Sequence, residues 1–424
     1  MADARTYWVE TLGCPKNQVD SDKLVGTLEA DGLRIASSPD DADVVVVNTC
    51  AFIEAARQES IDTILALSEA RRAGAELIVT GCMAERYGDE LAAALPEVDR
   101  VSGFGVPVSL GRKPEASVPM LDLLNLPRPR SARPWAYVKI AEGCDRSCGF
   151  CAIPSFRGPQ RSRTAASILD EVDALGALEI VLVAQDLASY GNDVGERRAI
   201  VPLVAEVARR VPRVRLLYLY PSDLTDGLID AVCATGVPYF DLSLQHASGP
   251  LLRRMRRWGD GDRFLRRIDD IRRREPAAAF RSNFIVGYPG ETEEDHDRLL
   301  RFVAAAQLDW CGLFPYSPEE GTHAAGLDGA VDPALVGERL DELSELQDRI
   351  TADRRDALIG RAVDVLVDAP GVGRTYREAP EIDGIVTVPA TLAAGSFATL
   401  VVTGATGPDL AAELPSPALA PAGA

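Results

Sequence analysis

Apolar residues in this chain cluster in short blocks. Four valines stand in a row at 44–47 between Asp43 and Asn48, and the run EIVLVA occupies 179–184. Blocks of this length and purity mark strands buried on both faces of a parallel sheet. Over the first 125 residues they predict strands at Thr6–Thr11, Asp43–Asn48 and Glu76–Thr80. Helical periodicity fills the gaps: a helix from about Gln18 to Asp31, one running through Arg72, and a third to about Leu95. Such strand–helix repetition implies a parallel sheet with crossover helices.

Residues 111–134, rich in Pro, Arg and Leu, read as a linker. A second alternation then runs to about 360. Its strands are predicted at Ala136–Ala141, Glu179–Ala184, Val214–Leu219, Tyr239–Leu244, Phe280–Val286 and Leu308–Phe314, with charged helical segments over 251–274 and 333–357. Six such units predict an incomplete α/β barrel with chemistry at the carboxyl ends of its strands. After Arg361, short apolar runs broken by Gly and Pro predict an all-β module of four or five strands. The last residues, PSPALAPAGA, read as a disordered tail. The expected domains are 1–125, 130–361 and 362–424.

Composition narrows the class. Hydrophobic residues make up 46% and charged residues 26%, which excludes disordered and fibrous chains. No apolar run approaches the roughly 18 residues of a membrane span. The N-terminal stretch carries acids and no apolar core, so the expectation is a soluble, cytoplasmic protein. Lys and Arg total 45 against 64 Asp and Glu, a net charge of −19. That opposes generic attraction to nucleic acid and suits a basic protein partner, with plain solubility as the competing explanation.

Eight cysteines change the picture most. Disulfides are disfavoured in the cytosol, so clustered cysteines point to metal or redox chemistry. Cys144, Cys148 and Cys151 form a C-x3-C-x2-C run. Thiolates are soft ligands suited to iron–sulfur clusters, and three of them leave one iron of a cubane open to a small molecule. A structural zinc ion takes four ligands, and His246, His296 and His323 are all remote in sequence. Cys14, Cys50 and Cys82 each follow a predicted strand. Carboxyl ends of parallel strands share one sheet edge, so these three sulfurs are expected to converge; the alternative is three unrelated buried thiols. Cys233 and Cys311 have no cysteine neighbours and read as core thiols.

The segment EGCDRSCGFCAIPSFRGPQRSR at 142–163, with Phe150 before its last cysteine, resembles the signature of radical S-adenosylmethionine (SAM) enzymes. GCPKN at 13–17, NTCAFI at 48–53, TGCMAERY at 80–87, AQDLASYG at 184–191, LQHAS at 244–248, NFIVGYPGET at 283–292 and YSPEEGT at 316–322 extend the resemblance to the methylthiotransferases. GCPKN and SFRG are similar to the ribosomal-protein branch of that family. The resemblance implies an N-terminal α/β domain, a partial (β/α)6 radical-SAM barrel and a small C-terminal β-barrel of the TRAM type. It implies two 4Fe-4S clusters, an auxiliary one on Cys14, Cys50 and Cys82 and a SAM-binding one on Cys144, Cys148 and Cys151. The implied substrate is the β-carbon of an aspartate in ribosomal protein S twelve of the small subunit. Replacing an unactivated C–H by C–S needs radical chemistry that a cofactor supplies, and the implied electron donor is of unknown identity.

Beyond the clusters no catalytic residue is assigned. Candidate SAM contacts are Phe150, Gln185, Gln245, Gly287 and Pro289, with Ile285, Val286 and Gly290 nearby; core packing and a plain turn are the bland alternatives. Arg157, Arg161 and Arg163 are candidates for the SAM carboxylate or the substrate carboxylate, and His246 is a possible site residue. Two other functions compete: modification of a tRNA adenosine, and a non-catalytic iron–sulfur scaffold or RNA-binding protein using the TRAM-type module. Residues 362–424 hold two basic residues, Arg374 and Arg377, against seven acids. That module is therefore expected to attract a basic ribosomal protein and not tRNA; no membrane partner is expected.

Overall fold

A computed structural model describes residues 5–103 and 124–415. The N-terminal part is a five-stranded parallel sheet built from β1 (Thr6–Thr11), β2 (Arg34–Ile35), β3 (Val44–Thr49), β4 (Glu76–Gly81) and β5 (Arg100–Val101), in the order β2-β1-β3-β4-β5. Helices α1 (Pro15–Ala30), α2 (Glu54–Ala70) and α3 (Cys82–Ala94) make the crossovers. The valine run is the centre of this sheet. Val45 and Val47 point into one apolar layer, Val44 and Val46 into the other, and all four are fully buried. Each contributes on the order of 2 kcal/mol of burial.

Helix α1 starts three residues earlier than the periodicity predicts. Cys14 is its extended N-cap and Pro15 its first residue. Proline fits there because the missing N–H would have had no helical partner.

The barrel follows the order of the sequence. It contains β6 (Trp135–Lys139), the short antiparallel pair β7 (Ala141–Glu142) and β8 (Arg161–Ser162), then β9 (Glu179–Val183), β10 (Arg213–Leu216), β11 (Tyr239–Gln245), β12 (Ala279–Val286) and β13 (Trp310–Pro315). β6, β9 and β10 form one parallel sheet; β11, β12 and β13 form another. A parallel bridge between Leu219 and Leu242 joins them, giving six parallel strands in an open barrel. β10 stops at Leu216 instead of Leu219 because Tyr218 adopts a left-handed φ of 66°. The Asp241 carboxylate accepts its backbone N–H at 2.9 Å.

The charged stretch 251–274 is two helices, Gly249–Arg254 and Gly261–Arg274. Arg256 (φ 54°) and Gly259 (φ 108°) break it and turn Arg257 and Trp258 out of the helical path. The long helix Pro333–Asp356 ends the barrel.

The C-terminal module is a closed five-stranded barrel in the order β14-β15-β16-β18-β17: β14 (Ala362–Ala369), β15 (Val372–Arg374), β16 (Val386–Thr387), β17 (Phe397–Thr406) and β18 (Asp409–Glu413). Its segment between β15 and β16 lies against the amino ends of the large barrel's strands. Tyr137 donates to Pro380 O (2.7 Å), Tyr239 to Asp383 (2.6 Å), the Trp310 indole to Arg377 O (2.7 Å) and Arg374 to Glu179 (3.0 Å).

Most of the expected linker, and the expected tail from 416, lie outside the described residues. From Leu124 the chain is anchored: the buried Lys23 ammonium donates to Leu124 O and Leu126 O at 2.8 and 2.9 Å. Among the described residues no helix is long and apolar enough to cross a membrane.

Candidate functional site

The first three cysteines sit on one edge of the N-terminal sheet. Cys14 caps α1, Cys50 follows β3 directly, and Cys82 opens α3 directly after β4. Two of them follow glycines in the left-handed region, Gly13 (φ 92°) and Gly81 (φ 94°). A Cβ on Gly13 would lie 2.8 Å from the Cys50 Cβ and 2.9 Å from its Sγ; one on Gly81 would lie 2.6 Å from the Thr49 backbone. Only glycine lets these loops nest so closely. Asn17, from GCPKN, stitches the edge: its amide donates to Leu12 O (2.9 Å) and Thr49 O (3.0 Å), and the Cys82 thiol points at its Oδ1 (3.6 Å).

The three sulfurs feel one another. Burial, then Cys14 and Cys82, push the Cys50 thiol up to about 12. Burial also pushes Cys14 up, but Lys16, the Asn17 N–H and Arg157 outweigh it, and its pKa falls below the ordinary thiol value.

The second triad occupies the loop after β7. Gly143 (φ 79°) precedes Cys144, and a Cβ there would lie 2.1 Å from Pro159 O. The loop is stapled at three points: Cys144 N to Gly158 O (3.1 Å), Gly149 N to Met255 O (2.8 Å) and Ala324 N to Gly149 O (2.8 Å). Around it stand two arginines that the sequence analysis did not single out. The Arg146 backbone N–H donates to Cys144 Sγ (3.4 Å), and the Arg257 guanidinium donates to Cys148 Sγ (3.3 Å). Both guanidinium groups stack on Tyr220, at 3.9 and 4.0 Å from the ring centre. The one sequence signal for Arg257 is Gly259, which interrupts an otherwise helical pattern. Burial, with the neighbouring cysteines adding, pushes Cys144 up to about 11 and Cys151 up to about 12.

Among the described residues no group of three His, Cys, Asp or Glu side chains is arranged to hold a metal ion. A mononuclear site needs its sulfurs at about 2.3 Å from one centre. Each triad is all thiol and has an arginine donating to one of its sulfurs, a donor set whose chemistry fits an iron–sulfur group.

Helix α4 (Ile153–Arg157) begins two residues after Cys151 and packs Ala152, Ile153 and Phe156 into the N-terminal core. At its end, the buried Arg157 spans both parts. It donates to Cys82 Sγ (3.0 Å) and Asn17 Oδ1 (2.9 Å), and to Glu142 of β7 (3.0 Å). Lys139 also pairs with Glu142, at 2.8 Å. Burial raises the Glu142 carboxyl, but Arg157 and Lys139 hold it down at about 2.

The other candidates divide. Gln185 lies beside this network, donating to Glu142 at 2.5 Å, and its buried Oε1 has no partner. The half-buried Phe150 packs on the barrel core, and Gln245 ends β11 with a left-handed φ of 73°. Tyr288 of the GYPGE turn reaches the cysteine loop, with its hydroxyl 2.7 Å from a Cβ placed on Gly149. Gly287 packs under Val336, Pro289 O accepts from Arg254 (2.8 Å), and Val286 is core. Arg163 is built into the barrel wall through Lys139 O (2.9 Å) and Glu171 (2.5 Å). Arg161 donates to Arg157 O (3.3 Å). His246 is fully buried; its Nδ1 accepts from Ser248 N (3.0 Å), and burial pushes its pKa down to about 3. Cys233 and Cys311 pack half-buried against the barrel core.

Comparison with known proteins agrees with this architecture. Residues 6–103 match the "Uncharacterized protein family UPF0004", 138–303 the radical SAM superfamily and 359–414 the TRAM domain. A ribosomal protein uS12 methylthiotransferase RimO from Nocardioides sp. is 42% identical, covering 95% of this chain and 96% of its own length. The RimO protein of Moorella thermoacetica is 45% identical over 93% of this chain and 96% of its own. Among solved structures, the radical SAM methyltransferase TsrM from Kitasatospora setae aligns over 92% of this chain and 84% of that one, with a TM-score of 0.48 and 14% identity. At that distance the likeness says nothing about chemistry. The identity and coverage of its curated relatives are decisive: the chain belongs to the RimO family of radical-SAM methylthiotransferases.

Proposed function

We propose that this enzyme inserts a methylthio group at the β-carbon of an aspartate in ribosomal protein S twelve, using SAM and two 4Fe-4S clusters, in the cytoplasm. The observation that carries the reading is the pair of cysteine triads, one at the carboxyl edge of the N-terminal sheet and one in the loop after β7, with Arg157 donating both to Cys82 of the first and to Glu142 of β7. Cys14, Cys50 and Cys82 would hold the auxiliary cluster, and Cys144, Cys148 and Cys151 the SAM-binding one. When bound, these groups supply the one-electron chemistry and the methylthio sulfur that no side chain offers.

The chain's own residues bind, orient and exclude. The Arg257 guanidinium offsets the negative charge of the barrel triad, and the Arg146 backbone N–H donates to it while the Arg146 side chain pairs with Asp186 and Asp223. The buried, unpartnered Oε1 of Gln185, whose amide donates to Glu142, is an acceptor suited to a cationic or N–H-bearing group of SAM. Aromatic packing of Trp135, Tyr137, Tyr239 and Trp310 closes the barrel's amino end against water.

Charge supports the substrate reading. Both basic residues of the C-terminal module are consumed where it meets the barrel: Arg374 is buried against Glu179 and Asp368, and Arg377 pairs with Asp309 at 3.4 Å. Four of its seven acids, Asp368, Glu378, Glu381 and Asp383, are paired with arginines there as well, so Asp364, Asp409 and Glu413 are left to meet a partner, a small acidic excess that favours a basic ribosomal protein over phosphates. Mass spectrometry of ribosomal proteins and bulk tRNA from cells lacking this protein tests the assignment. S twelve should become lighter by one methylthio group in place of hydrogen. Unchanged S twelve with loss of methylthioadenosine from tRNA would replace this reading by the tRNA one.

A further inference from the structure

We infer that Arg157 sets the reduction potential of the auxiliary cluster by donating to its Cys82 ligand, and so acts as a positioning residue that ties this cluster to the loop holding the other one. The inference rests on the two-cluster reading above. Arg157 is 2% exposed and its fork is divided. One nitrogen serves Cys82 Sγ (3.0 Å) and Asn17 Oδ1 (2.9 Å). The other serves both oxygens of Glu142 (3.0 Å each) and Asp20 (3.2 Å). Here half the fork is aimed at sulfur, in the one helix that leads out of the C-x3-C-x2-C loop.

The sign follows from charge. Reduction adds an electron to the cluster. A guanidinium N–H donated to a thiolate ligand favours the more negative, reduced form and raises its potential. Without Arg157, the nearby Glu142 and Asp20 act in the opposite direction. Lys139 still pairs with both carboxylates, so the removal leaves neither of them alone. Lysine at 157 would keep the charge but lose the planar fork, so it should recover only part of the effect.

The test uses the full chain carrying Cys144→Ala, Cys148→Ala and Cys151→Ala, so that only the auxiliary cluster contributes. EPR-monitored redox titration should show Arg157→Met shifting the oxidised-to-reduced ratio at a fixed potential about tenfold towards oxidised, equivalent to about 59 mV for one electron. Arg157→Lys should shift it less. Pulsed EPR on the parent, grown with isotopically labelled arginine, should show guanidinium nitrogen coupled to the reduced cluster, and Arg157→Lys should abolish that coupling. A Met variant that loads iron and titrates like its parent overturns the inference. So does a parent without nitrogen coupling, a result that stands even if the Met variant loses its cluster. A parent that binds no cluster at all refutes instead the two-cluster reading.

Discussion

Glu319, in the loop after the last barrel strand, accepts a hydrogen bond from Arg86 of the N-terminal domain at 2.8 Å. Arg57 of α2 pairs with the same carboxylate, which is 2% exposed. Removing one partner from a buried ion pair costs about 3 kcal/mol because the other charge is stranded. Glu319→Ala should therefore loosen the N-terminal domain on the barrel. Hydrogen exchange around residues 51–57 and 82–90 should rise, and methylthiolated product per SAM cleaved should fall while SAM cleavage persists.

The two triads should be separable by iron count. Reconstituted under anaerobic conditions, the chain should hold about eight irons, and the variant lacking Cys144, Cys148 and Cys151 about four. That variant should make no 5′-deoxyadenosine. The variant lacking Cys14, Cys50 and Cys82 should still cleave some SAM and transfer no sulfur.

Gly143→Ala should behave like a partial loss of the barrel cluster. Its left-handed φ and the 2.1 Å approach to Pro159 O leave no room for a methyl group. The expected readout is weaker iron retention in the barrel triad, with the auxiliary cluster intact by EPR.

Acid should release the C-terminal module from the barrel. Burial raises the Glu179 carboxyl, but Arg374, Arg215 and Arg213 outweigh it and hold its pKa at about 2, below the ordinary 4.5. Its stabilisation is complete above about 4.5 and is lost as pH falls towards 2. Asp383, raised by burial to about 6, acts with the opposite sign and cannot cause an acid loss. Tryptophan fluorescence from the buried Trp135 and Trp310 should change over that window. In Glu179→Gln the module should be weaker at neutral pH and the acid step should flatten.

Binding of S twelve to the full chain should weaken as salt rises, since exposed charges are screened over about 8–10 Å at moderate ionic strength. Tighter binding of tRNA than of S twelve at moderate salt would count against the acidic-module reading.

The sequence was most informative where one principle dominated. The valine run and the six strand blocks reported burial directly, and the open barrel follows from them, while the cysteine spacing placed three sulfurs after three strands of one sheet. Legibility failed where tertiary contacts overrode pattern. Nothing local told that Arg157 would turn back towards Cys82, that Gln185 would lean on Glu142, or that Arg257 would reach Cys148 from outside a helix. The break falls at Arg256, an exposed residue with a left-handed φ and no turn residue's chemistry to announce it. Nor did the pattern show Pro15 starting a helix: Gly-Cys-Pro reads equally well as a loop.

The segment between β15 and β16 stoppers the amino end of the barrel. On the proposed function a target residue would therefore approach from the opposite end, where the strands hand over to the cysteine loops. A partner that carries its target on a projecting loop would reach that end with less unravelling than one that holds it inside a helix or strand.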